Sequence, residues 1–157
     1  MLDGMEALRF ACQPGCTRCC RVQGWVYLTE ADLRRAAAHL GMSPREFEAR
    51  YVYRTRHLLR LRKPRGAQCH FLAEDGCRLH PEKPTQCRVY PFWPELTDSP
   101  SAWRKEARVC PGIGQGDLVP VQAVLRLGAQ MRESYPEMYP VSRQRRVPRR
   151  TRLAMEK

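Results

Sequence analysis

Hydrophobic positions along this chain change their period from one stretch to the next. Over residues 29–41 the run Thr-Glu-Ala-Asp-Leu-Arg-Arg-Ala-Ala-Ala-His-Leu-Gly sets Leu33, Ala36, Ala37 and Leu40 at helical spacing, so one face is apolar and the rest is polar. Thr29 offers an N-cap oxygen, acids fill the first turn and Gly41 is the stop. Ser43-Pro44-Arg45-Glu46 repeats the start signal, with a proline where no N–H is needed and a glutamate placed to reach back. A second helix is therefore predicted over 44–51, and a third over 118–131. Residues 52–72 alternate more and are richer in β-branched and aromatic side chains. They predict a short hairpin over 55–72, turning at Pro64-Arg65-Gly66.

From Cys77 to Gly116 prolines and glycines are dense enough to exclude long regular elements, so this stretch is expected to be loop wrapped around something. Beyond Tyr135 prolines and arginines dominate. The expected organisation is a single domain over 1–135 with a basic, flexible tail over 136–157. The fold class is small α+β, loop-rich and metal-stapled.

Composition explains the need for a staple. The 157 residues include only four Phe, three Trp and six Tyr to anchor a core, and thirteen prolines interrupt it. Such a chain buries too little apolar area to exceed comfortably the conformational entropy lost on folding. Eight cysteines are the available remedy. The first six residues carry two acids and no apolar run, so neither a secretory signal nor a transit peptide is expected, and no membrane span is visible. In the cytoplasm, where thiols stay reduced, closely spaced cysteines read as metal ligands rather than disulfides.

The net charge of +12 is concentrated in two places: residues 50–65 contribute +7 and residues 142–157 contribute +6, leaving −1 for the rest. Either segment could attract RNA or an acidic protein partner. Aromatic residues interleaved with the first patch are limited to Tyr51 and Tyr53, and a solvated basic surface explains the same charge.

Cysteine spacing carries the chemistry. Cys12-x3-Cys16-x2-Cys19-Cys20 puts four sulfurs within nine residues, and Cys69, Cys77, Cys87 and Cys110 follow at wider intervals. Tetrahedral zinc and cubane clusters each take four protein ligands, so eight cysteines match two four-ligand sites or one larger cluster. An all-sulfur shell selects iron–sulfur or zinc and leaves the two open. Adjacent Cys19 and Cys20 are expected to point apart, serving two neighbouring sites, one ligand and one spectator, or a bridge. The spacing of the first three cysteines also occurs in radical S-adenosylmethionine enzymes, but those need a far longer barrel.

The segments Phe10-x-Cys-Gln-x-Gly-Cys-x-x-Cys-Cys, Cys69-His-Phe-Leu, Gly76-Cys-x-x-His80, Pro84-x-x-Cys87-Arg-x-Tyr-Pro-Phe92 and Cys110-Pro-Gly-Ile-Gly-x-Gly116 occur in this order. They resemble the YkgJ-like cysteine-cluster family, over residues 10 to 118. Members are described as zinc- or iron-chelating domains and sometimes labelled Fe–S oxidoreductases. The resemblance implies metal binding with every cysteine of the pattern present.

Other motifs add less. His80, three residues after Cys77, is at a spacing that zinc sites use, though eight cysteines already suffice. His39, His57 and His70 have no comparable case. The glycines after Cys110 lack the Lys-Ser/Thr of a phosphate loop and the dinucleotide spacing. They could instead let backbone N–H groups approach a thiolate. Tyr90-Pro-Phe-Trp-Pro94 could shield a cluster, and Arg88 could offset its charge. No general base is identifiable. The leading expectation is a metal protein holding iron–sulfur or zinc through eight cysteines, with redox activity and an unknown redox or protein partner in view. The alternative is a zinc-stapled module that contacts RNA or a protein.

Overall fold

The computed structural model describes residues 8–22, 24–63 and 68–140. In chain order its elements are β1 (Arg9–Phe10), β2 (Tyr27–Leu28), α1 (Glu30–His39), α2 (Pro44–Tyr51), β3 (Val52–Arg54), β4 (Leu59–Leu61), β5 (Leu72–Ala73), β6 (Gly76–Cys77), α3 (Thr85–Val89), α4 (Pro94–Thr97), α5 (Pro100–Glu106), β7 (Ile113–Leu118) and α6 (Val121–Ser134). The class is small α+β and loop-rich, as the sequence predicts.

Both early helices start on complete capping boxes. The Thr29 hydroxyl accepts from the Asp32 N–H while Asp32 accepts from the Thr29 N–H, and Ser43 and Glu46 do the same for α2. Gly41, at φ +66°, lets the chain reverse between the two helices. Leu33, Ala36 and Ala37 are buried and Leu40 packs beside them.

Two cores result. The first joins α1 and α2 to the β2–β4–β3 sheet through Leu28, Leu33, Phe47, Val52, Leu59 and Leu61, and extends to Phe71 and Leu79. The second gathers Leu8, Val89, Phe92, Trp103, Val124, Met131 and Tyr135 around α6. An antiparallel pairing of β1 with β7 ties residues near 10 to residues near 115.

Three expectations need correction. The hairpin pairs β3 with β4 and turns at 55–58, where Thr55 Oγ1 accepts from the Leu58 N–H at 3.0 Å; Pro64-Arg65-Gly66 lies outside the described residues. Leu72, the end of the expected hairpin, pairs with Cys77 instead. The stretch from Cys77 to Gly116 is not all loop, because α3, α4 and α5 stand in it with 5, 4 and 7 residues. More helices therefore form than the three expected, and the last starts at Val121 because Leu118 belongs to β7. From residue 141 the expected tail lies outside the described residues, while Met138 and Tyr139 pack on the second core. Among the described residues no helix is long and apolar enough to cross a membrane.

Candidate metal centre

All eight cysteines are free thiols. Five of them, Cys19, Cys20, Cys69, Cys77 and Cys87, line one cavity of about 480 Å³. The cavity touches both cores, through Leu61, Phe71 and Leu79 on one side and Trp93 on the other.

Four separate segments deliver these sulfurs. A 3-10 turn over Arg18–Cys20, closed by the Cys20 N–H on the Thr17 carbonyl at 3.0 Å, presents Cys19 and Cys20. The Cys69 N–H donates to the Cys20 carbonyl at 2.8 Å, which clamps the second segment to the first. The β5–β6 ladder folds the chain back so that Cys77 lies opposite Leu72. Helix α3 carries Cys87. The adjacent pair Cys19 and Cys20, expected to point apart, faces the same cavity.

Helix α3 is too short to hold itself, and buried polar groups from distant elements secure it. Asp32, fully buried on α1, accepts at one carboxylate oxygen from the Thr85 N–H at 3.0 Å and the Thr85 hydroxyl at 2.9 Å. The Gln86 N–H donates to the Tyr135 hydroxyl at 3.1 Å, and the Gln86 side chain accepts from the Tyr27 N–H at 2.6 Å. Tyr135 in turn donates to the Tyr27 carbonyl at 3.1 Å. These groups fix the two residues just before Cys87, yet the sequence marked Asp32 only as a first-turn acid. Their partners lie 49 to 108 residues away, so no local pattern could reveal them.

Electrostatics polarise the thiols. Cys20 donates its thiol proton between Cys19 and Cys77, which draws each of those sulfurs toward thiolate with a pKa of about 6 despite partial burial; the Lys83 ammonium adds to the effect. Hydrogen bonding to both neighbours holds Cys20 protonated. Burial is the main cause that raises Cys69 and Cys87, and neighbouring sulfur charge adds to it. Lys83 therefore takes the place proposed for Arg88, which is exposed and donates to Thr85 Oγ1 at 3.1 Å.

Of the remaining three cysteines, Cys16 lies near enough to Cys110 for its charge to act there. Cys110 is buried, with the N–H groups of Gly112 and Ile113 directed at its sulfur and the Tyr90 hydroxyl beside it. Burial is the leading influence and pushes its thiol pKa up, with the Cys16 charge adding to the rise. The Ala11 N–H bonds the Gly112 carbonyl at 3.0 Å, carrying the exposed Cys12 alongside. A Cβ on Gly112 would stand 2.5 Å from the Ala11 carbonyl oxygen, so only glycine permits this approach. Tyr90 joins the cavity to Cys110: it lines the first, donates to Glu106 at 2.6 Å and touches the second.

The aromatic segment after Cys87 divides. Tyr90 and Trp93 cover the cavity with ring centroids 5.1 Å apart, while Phe92 enters the second core. His80 is exposed and does not line the cavity. His70 rests against Tyr51, His39 meets the Arg78 carbonyl at 3.1 Å, and His57 lies 3.6 Å from Glu137. Among the described residues no group of three or more His, Cys, Asp or Glu side chains is already set around a single ion position. The donor chemistry nonetheless suits soft or borderline metals, because every polarised donor is sulfur.

A small α+β domain that spends its two cores on bringing thiols from distant segments to one cavity is a cysteine-rich metal-chelating domain in build. The family model CxxCxxCC, described as "Putative zinc- or iron-chelating domain", matches residues 11–111, and the chain belongs to that family. No solved structure matches it at a significant level.

Proposed function

We propose that the chain coordinates an iron–sulfur cluster or zinc through its eight cysteines. Cys19, Cys20, Cys69, Cys77 and Cys87 are the principal ligands, and Cys12, Cys16 and Cys110 form the second group. The observation that carries this reading is the convergence of five thiols from four segments on one cavity. To act as a ligand, Cys20 would give up the thiol proton that it shares between Cys19 and Cys77.

Iron–sulfur is the favoured occupant. A structural zinc site is a closed tetrahedron that needs no free volume, whereas this cavity offers about 480 Å³, five sulfurs and the cations Lys63 and Lys83. Two lysines offset the negative charge that thiolate-ligated clusters carry, and nearby charge tunes their potential. A bound cluster supplies one-electron transfer. The chain's own part is to orient the sulfurs, exclude water with Tyr90 and Trp93, and balance charge with Lys83.

Iron and acid-labile sulfide analysis of anaerobically purified protein tests the proposal. Brown protein with a broad absorbance near roughly 400 nm is expected. Colourless protein with about two zinc ions per chain would move the reading to a zinc-stapled module. A stably folded sample with neither metal would end it.

A further inference from the structure

We propose that the outer face of the β2–β4–β3 sheet, built on Trp25, Arg60 and Tyr53, binds single-stranded nucleic acid beside the thiol cavity.

Strand register creates it. Tyr27, Arg60 and Tyr53 form one cross-strand rung, and Trp25, two residues before Tyr27, belongs to the same side by the period of an extended chain. Tyr27 packs on the second core. Trp25 and Tyr53 each remain 45% exposed. The Arg60 guanidinium lies between them, 3.7 Å from the Trp25 ring centroid and 4.7 Å from that of Tyr53, and the Lys63 ammonium is 5.4 Å from Trp25. Sequence inspection pairs the basic segment only with Tyr51 and Tyr53; Trp25 joins it through the β2–β4 ladder.

Charge identifies the occupant. Residues 50–63 carry six Lys or Arg and no acid. Arg54 is held by Glu30 and Glu48, and Arg62 donates to the Val52 carbonyl. Arg56, Arg60 and Lys63 form no ion pair among the described residues. At the hairpin tip Glu137 lies 3.6 Å from His57. Exposed rings flanked by unpaired cations match the two components of a single strand, stacking bases and regularly spaced phosphates. A duplex hides its base faces and offers only the phosphates. An acidic protein would use the cations and leave the rings unused. Because Trp25 and Lys63 also line the cavity, a strand on this face lies against the cavity's wall.

The test uses the full, metal-loaded chain and a labelled oligouridine of about twelve nucleotides, within the site sizes of small stacking platforms. Binding should weaken with salt at a log–log slope of about −2, from three cations on a single strand. Trp25→Ala and Tyr53→Ala should each lower affinity on the order of tenfold, while Arg104→Gln, an exposed cation on α5, should not. Trp25→Phe should retain most affinity but remove the quenching of tryptophan fluorescence by the strand, a signature that a merely structural role would not produce. Unchanged metal content and circular dichroism in each variant exclude misfolding. No binding at low salt overturns the proposal. So does equal affinity for a duplex, heparin or an acidic polypeptide, or binding that survives Trp25→Ala but vanishes when residues 142–157 are deleted.

Discussion

The helix pair α1–α2 and the short helices α3–α5 are built in opposite ways. Each of the first two carries its own start signal, a capping box, and an apolar stripe that finds the nearby sheet. All five fall below the length at which an isolated helix sustains itself, and the helices of the cysteine segment, with 5, 4 and 7 residues, are shorter than the 10 and 8 of α1 and α2. Helix α3 persists through borrowed contacts from Asp32 and Tyr135, whereas α5 keeps a local start signal, the Ser99 hydroxyl accepting from the Ala102 N–H. The locally encoded half is a platform, and the half that carries Cys87 and Cys110 takes its shape from that platform, from α6 and, in our reading, from metal.

The sharpest way to break this asymmetry is Cys87→Ser. Since metal affinity in such domains is also folding energy, the variant should lose metal and several kcal/mol of stability, with the cysteine segment affected first. Full metal content with an unchanged melting temperature would remove Cys87 from the ligand set. Next is Asp32→Ala, which strands the buried Thr85 N–H and hydroxyl and should cost about 3 kcal/mol, measured by denaturant unfolding. A loss below about 1 kcal/mol would mean that α3 does not depend on this carboxylate.

Asp32 also sets a pH response. Burial alone would raise its pKa, but hydrogen bonds from Thr29 and Thr85 outweigh that and hold it below the ordinary carboxylate value. Its contribution is therefore present above the unfolded pKa of about 3.9 and disappears as pH falls through the lower folded value. Asp32→Asn should flatten that acid limb, and an unaltered limb would assign it to other groups.

Gly112→Ala should cost about 1–3 kcal/mol through overlap with Ala11, and hydrogen exchange should show the Ala11 amide losing protection. Preserved protection there would show that β1 can shift without separating from the Cys110 turn. The smallest effect expected is from Ser43→Ala, about 1 kcal/mol for a lost cap, with metal content unchanged. A loss of metal in that variant would join the two halves more tightly than described.

Legibility in the sequence follows the same division. Thr29, Gly41, Ser43 and Pro44 announce their structural roles by residue type, and α2 spans the predicted 44–51. The 55–58 turn is closed by a threonine hydroxyl without Gly, Asn or Asp, so residue-type rules place the turn too late. Pro94 and Pro100 look like interruptions, yet each occupies the first position of a helix, where its missing N–H does no harm. The eight cysteines stand out in the sequence as a set. Their division into five around the cavity and a separate neighbourhood of Cys16 and Cys110 does not, because it depends on the Cys69 N–H reaching the Cys20 carbonyl and on Ala11 reaching Gly112.

The Tyr135 hydroxyl has a consequence for the order in which the molecule matures. In the growing chain all five cavity cysteines precede Tyr135, the last of them by 48 residues. Until that phenol reaches the Gln86 N–H, the turn bearing Cys87 lacks one of its anchors. If these cysteines hold metal as proposed, a chain not yet grown to Tyr135 would offer a less organised set of sulfurs than the finished one.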